Sequence, residues 1–72
     1  MKFEDFLKKF GEKVKNERLK KGLNQEEFDF GDYAISVRTI QEIEAGRTNF
    51  TAKSLFYISK HLKIKPSDLI DI

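Results

Sequence analysis

Ser36, Val37, Arg38, Gln41 and Glu42 fall at spacings of one, three and four residues, which on a helix gathers long polar side chains along one strip. The same segment carries Ile40 and Ile43, so its other side is apolar and suited to packing on protein. Such a helix fits the major groove of a DNA duplex, where each base pair shows a distinct set of donors and acceptors. Arg38 can donate two parallel hydrogen bonds to guanine O6 and N7, worth ~1–3 kcal/mol against a wrong base. Val37 suits a thymine methyl. Glu42 suits a cytosine amino group, or else repels phosphate and so enforces register. The hydroxyls of Ser36 and Thr39 suit phosphate oxygens.

The elements that must position this strip are helical. Phe3, Phe6, Leu7, Phe10 and Val14 recur at three and four, an apolar stripe that predicts a first helix to about Lys21. Gly22 stops it, with Lys20 and Lys21 in the last turn, where cations suit the helix dipole. Asn24 caps a second helix, and Glu27 stands at the capping-box position. Ser36 caps the third, which ends at Ala45-Gly46. Thr51 caps a fourth with Leu55, Ile58 and Leu62 as its buried stripe, and Pro66 opens a short fifth with Leu69 pointing inward. Phe3, Phe6 and Phe10 read as core or a dimer patch, and one of Phe56 and Tyr57 as core or interface. His61 lies on the polar side of its helix and receives no role. No segment alternates with period two. The expected fold is all-α: five helices pooling one compact core.

Composition bounds the chemistry. The 72 residues hold no cysteine and one histidine, so they build neither a disulfide framework nor a zinc site. One domain spanning 1–72 is expected, with no effector or catalytic unit. The segment MKFEDFLKKF has no unbroken apolar run, which argues against a signal peptide or membrane anchor; a reducing cytoplasm is the expected compartment. No nucleophile–base pair, phosphate-cradling loop or metal-ligand cluster stands out, so neither enzyme activity, a cofactor nor a small-molecule substrate is expected. Net charge is only +2, but its distribution is uneven. Residues 1–22 carry eight Lys/Arg against four Asp/Glu, whereas residues 24–45 carry one Arg against six Asp/Glu. DNA binding therefore requires Glu26, Glu27, Asp29 and Asp32 to face away from phosphate. Positive charge must come from the first helix, Arg47, Lys53 and the C-terminal lysines.

Four segments in order carry a family resemblance: Gly22-Leu23-Asn24-Gln25-Glu26-Glu27-Phe28; Arg38-Thr39-Ile40-Gln41-Glu42-Ile43-Glu44-Ala45-Gly46; Thr48-Asn49; and Leu62-Lys63-Ile64. Together they resemble the phage-repressor and Cro-like (Xre) helix-turn-helix family over roughly residues 10–70, with the motif itself at about 24–46. The resemblance implies a lambda-repressor-like fold whose third helix lies in the major groove. It places Ser36, Val37, Arg38 and then Gln41 or Glu42 toward bases. It implies that Gln25, following the Asn24 cap, touches a phosphate and braces the first residues of the third helix, and that Arg47, Thr48 and Asn49 grip phosphates. It also pairs Arg18 with Glu44. The sequence departs from the family by one extra residue between the motif helices. Gly31 is expected to break the helix there, with Phe30 or Tyr33 filling the space an aliphatic residue usually takes.

The reading is a small bacterial or phage transcription regulator, a repressor by expectation, acting as a homodimer on an inverted repeat of double-stranded DNA. Leu69, Ile70 and Ile72 mark the C-terminal region as the expected contact between copies. The acidic stretch leaves a second reading open, a protein-binding module such as an antitoxin. RNA binding is remote, because exposed aromatics do not interleave with basic residues.

Overall fold

The computed structural model describes residues 1–72 and contains helices and turns with no strand. Helix α1 spans Phe3–Lys20, α2 Val37–Glu44, α3 Ala52–Leu62 and α4 Pro66–Leu69, with a single 3-10 turn at Gln25–Phe28. The all-α class is as expected, but there are four α-helices rather than five. The second helical stretch stays a 3-10 turn, for a local reason. The capping box forms, with Asn24 Oδ1 accepting from Glu27 N–H at 2.9 Å and Glu27 Oε1 accepting from Asn24 N–H at 3.1 Å. Asp29, Phe30, Gly31 and Asp32 then follow, and Gly31 takes φ +78°, so nothing propagates the turn into a helix.

α1 ends in a paired backbone closure: Gly22 N–H bonds to Leu19 O and Leu23 N–H to Arg18 O, the Schellman arrangement. Ser36 and Thr51 cap α2 and α3 through their side-chain oxygens, and Pro66 occupies the first turn of α4. The core gathers Phe10 and Val14 of α1, Phe28, Ile35, Ile40 and Ile43, Ile58 and Leu62 of α3, and Leu69. α1 turns Leu7, Phe10, Gly11, Val14 and Arg18 inward. Phe3 is exposed, so it is not core, and Phe6 is half-buried and stacks beside Phe50. Of the α3 pair, Tyr57 packs partly against the core while Phe56 is 44% exposed.

The connection between the 3-10 turn and α2 is closed at one point. Phe28 and Ile35 are both buried, and Ile35 N–H bonds to Phe28 O at 2.7 Å, so Asp29 to Ala34 form a closed excursion outside the core. Ile35 fills the space expected for Phe30 or Tyr33. Phe30 instead stands 68% exposed, and Tyr33 leans edge-on against Tyr57 and Phe56 at 5.5 and 6.0 Å. His61 anchors the returning limb. Its Nε2–H donates to Tyr33 O at 2.7 Å while its ring packs 4.8 Å from Phe28, a structural role that its sequence position did not disclose.

Candidate nucleic-acid interface

Three features hold α2 near its C-terminal end. Arg18 donates to Glu44 through Nε at 2.6 Å and Nη2 at 3.0 Å, and through Nη1 to Leu23 O at 3.0 Å. Gln25 Nε2 adds a bond to Glu44 Oε1 at 3.1 Å. The expected Arg18–Glu44 pair is thus present, with side-chain exposures of only 9% and 6%. The hydrogen bond to Glu44 raises the Arg18 pKa, against the opposing effect of burial. Gln25 does brace α2, but at its last residue rather than at its first turn as expected. Glu44 Oε1 thus accepts from both Arg18 Nη2 and the Gln25 amide.

The third feature is close backbone approach. A Cβ on Gly11 would lie 2.7 Å from Glu44 O and closer still to Ile43 O. Gly46, at φ +71°, brings its Cα against Lys8, whose Cα would be 2.9 Å from an added Cβ. Gly11 was not singled out from the sequence, although a glycine inside a helix costs ~1 kcal/mol relative to alanine and so calls for a packing reason.

With its end fixed, α2 buries Ile40 and Ile43 and leaves Ser36, Arg38, Gln41 and Ala45 exposed, with Val37, Thr39 and Glu42 half-buried. Arg38 takes part in none of the ion pairs of the chain. Ser36 and Thr39 are engaged with each other: Ser36 Oγ accepts from Thr39 N–H at 3.2 Å and its hydroxyl lies 2.9 Å from Thr39 Oγ1. Asn24 is likewise engaged in capping through its oxygen.

Glu42 and Arg47 are joined. The end of α2 is a second Schellman closure, with Gly46 N–H to Ile43 O and Arg47 N–H to Glu42 O, both at 3.0 Å. That closure folds Arg47 back over Glu42, and Nε donates to Oε2 at 2.9 Å. The Arg47 bond, then its charge, pulls the Glu42 carboxyl below its usual pKa; Glu42 in turn raises Arg47. The arginine expected at phosphate and the carboxylate expected at a base therefore hold each other in the free protein, leaving both Nη groups of Arg47 outside that bond. Thr48 is half-buried and Asn49 exposed beyond it.

Cations flank both ends of α2. Lys15, Gln25, Gln41 and Arg47 line an open polar cleft along its last turns. Lys53 joins Ser36, Thr39 and Ser54 around its start. The sequence pattern alone does not mark Lys15, though it sits four residues after Gly11 and three before Arg18. The carboxylates of Glu26, Glu27, Asp29 and Asp32 are all exposed, on the 3-10 turn and the loop that leans on α3. No group of histidine and acidic residues could hold a metal ion, and no helix is long and apolar enough to cross a membrane.

A family model described as helix-turn-helix matches residues 14–69. No curated protein and no solved structure matches the chain.

Proposed function

The chain belongs to the helix-turn-helix family, a DNA-binding family, and on that premise we propose that it reads a specific sequence in double-stranded DNA with α2. The observation that carries this reading is the state of α2: its C-terminal end is fixed by Arg18, Glu44, Gln25 and Gly11, while Arg38 and Gln41 stand exposed and unpaired with any charge. A rigid helix with free polar tips loses little freedom on entering a groove. Arg38 takes guanine, Val37 a thymine methyl, and Gln41 a neighbouring base edge. Thr39, Asn24 and Gln25 approach phosphates through the donors their internal bonds leave over, and Ser36 by turning to phosphate the hydroxyl it gives Thr39 Oγ1. Arg47, Thr48 and Asn49 grip the backbone, aided by Lys15 and Lys53 on the two flanks.

One short helix covers few base pairs, so the unit of recognition is two copies on an inverted repeat about one helical turn apart. The regulatory sense we favour is repression, since a bound protein blocks by occupancy alone. Of the C-terminal residues expected between the copies, Leu69 is wholly in the core, and only Ile70 and Ile72 stand 40% and 38% exposed. The second reading, a protein-binding module such as an antitoxin, is favoured by one feature, the exposed Phe30 among four carboxylates.

Selection of bound sites from a random duplex library, with mobility shifts at two salt concentrations, separates the two. The DNA reading expects an enriched two-fold motif and affinity that falls steeply with salt, as release of counterions from several phosphates demands. Absence of binding at both salt concentrations favours the protein partner.

A further inference from the structure

The loop and the end of α3 are built as opposites. Residues 26–32 hold Glu26, Glu27, Asp29 and Asp32 and no cation, with Phe30 standing out at the tip. Residues 50–67 hold Lys53, Lys60, Lys63 and Lys65 and no carboxylate. Where α3 meets α4, Phe56, Lys60, Lys63, Ile64, Lys65 and Pro66 line an open groove of about 370 Å³. Phe56, Ile64 and Pro66 give it an apolar side, and its charged lining residues are all lysines. Lys63 ends α3 at φ +56°, a left-handed conformation usually given to glycine.

We propose that this groove receives the acidic loop of a second copy of the chain, Phe30 entering between the lysines and the carboxylates meeting them. This refines the two-copy part of the DNA reading, on which its purpose rests, by moving the contact away from the C-terminal segment. Phe30 cannot reach its own core, because the bond between Ile35 and Phe28 closes the loop beneath it. Knob and groove adjoin through Tyr33, whose ring packs on Phe56 and lies 5.8 Å from the Lys60 ammonium. Adjacent complementary patches of this kind satisfy a two-fold axis, each loop entering the other's groove. The contact uses no residue of the exposed strip of α2. It also neutralises four carboxylates that otherwise oppose phosphate.

The test is sedimentation equilibrium of the full chain without DNA, at low and high salt. The wild type should form a dimer that weakens with salt. Asp29→Lys with Asp32→Lys, and separately Lys60→Glu with Lys63→Glu, should each raise the dissociation constant by about tenfold or more, since like charges then face each other. Mixing the two variants should restore association, which a folding defect in either would prevent. Ile70→Ser with Ile72→Ser should leave it intact. A wild type that stays monomeric, charge reversals without effect, a mixture that fails to associate, or loss of the dimer in the isoleucine variant each overturns the proposal. Intact association in a protein that selects no DNA motif would overturn the DNA reading alone.

Discussion

Glu44 and Glu42 stand two residues apart on α2, and each holds an arginine, yet the two pairs face different surroundings. Glu44 meets Arg18 in a bidentate pair almost closed to solvent, with Gln25 on the same carboxylate. Glu42 meets Arg47 through one bond on the surface, the Arg47 side chain 64% exposed. Burial decides what each can do. The inner pair cannot exchange partners without leaving a charge stranded, so it fixes an angle between helices. The outer pair can trade its partner for phosphate or base at little cost, so it can take part in binding.

The largest effect expected from this contrast belongs to Glu44→Ala. It leaves Arg18 buried without its carboxylate and costs on the order of 3 kcal/mol, a large part of the stability of so small a domain. Denaturant melts check this. A loss below about 1 kcal/mol would mean that water reaches Arg18 and that the pair does not frame α2. Gly11→Ala comes next. Alanine favours the helix by ~1 kcal/mol, but the methyl meets two backbone carbonyls that move only if α2 moves as a body, an overpacking that costs about 1–3 kcal/mol. The variant should be modestly destabilised and lose DNA affinity more than its melting temperature suggests. A more stable Gly11→Ala protein would show that the two helices have slack.

Much of the inner framework was legible in the sequence, because its signals are local or fixed by family spacing. Asn24, Ser36, Thr51 and Pro66 announce helix starts by chemistry that acts within one turn; the last three open α-helices, and Asn24 opens only the 3-10 turn. The Arg18–Glu44 pair followed from resemblance alone. What escaped was decided at longer range. Ile35 is buried where Phe30 or Tyr33 was expected, and its bond to Phe28 O closes the loop that leaves Phe30 outside. The 3-10 character of Gln25–Phe28 depends on that same loop. The partner of Gln25 depends on where α2 ends in space, and the Glu42–Arg47 pair spans a helix terminus at a separation no helical periodicity contains.

Within the binding surface, the unpaired and the paired arginine should behave differently. Arg38→Ala should lose discrimination at one base pair, by about 1–3 kcal/mol in selection experiments, and keep its salt dependence. Arg47→Ala should weaken all duplexes alike and flatten the salt slope by about one unit. If Arg38→Ala leaves both affinity and preference untouched, the exposed strip of α2 is not the reading surface.

The smallest effect is the one that tests whether the outer pair is an exchange partner at all. Glu42→Gln should leave the melting temperature where it is, because the pair is exposed and screened, yet tighten binding to non-specific duplex, since Arg47 no longer divides itself between carboxylate and phosphate. The same contrast can be reached by pH. Arg47 holds the Glu42 carboxyl below its unfolded pKa, so the pair's contribution is complete above the unfolded value and is lost as pH falls through the lower, folded one. The gap between wild type and Glu42→Gln in non-specific affinity should therefore be steady at neutral pH and close in acid, below the usual carboxylate range. A gap that persists there would place its origin in the shape of the glutamine side chain and not in the charge that Arg47 gives up when it turns to phosphate.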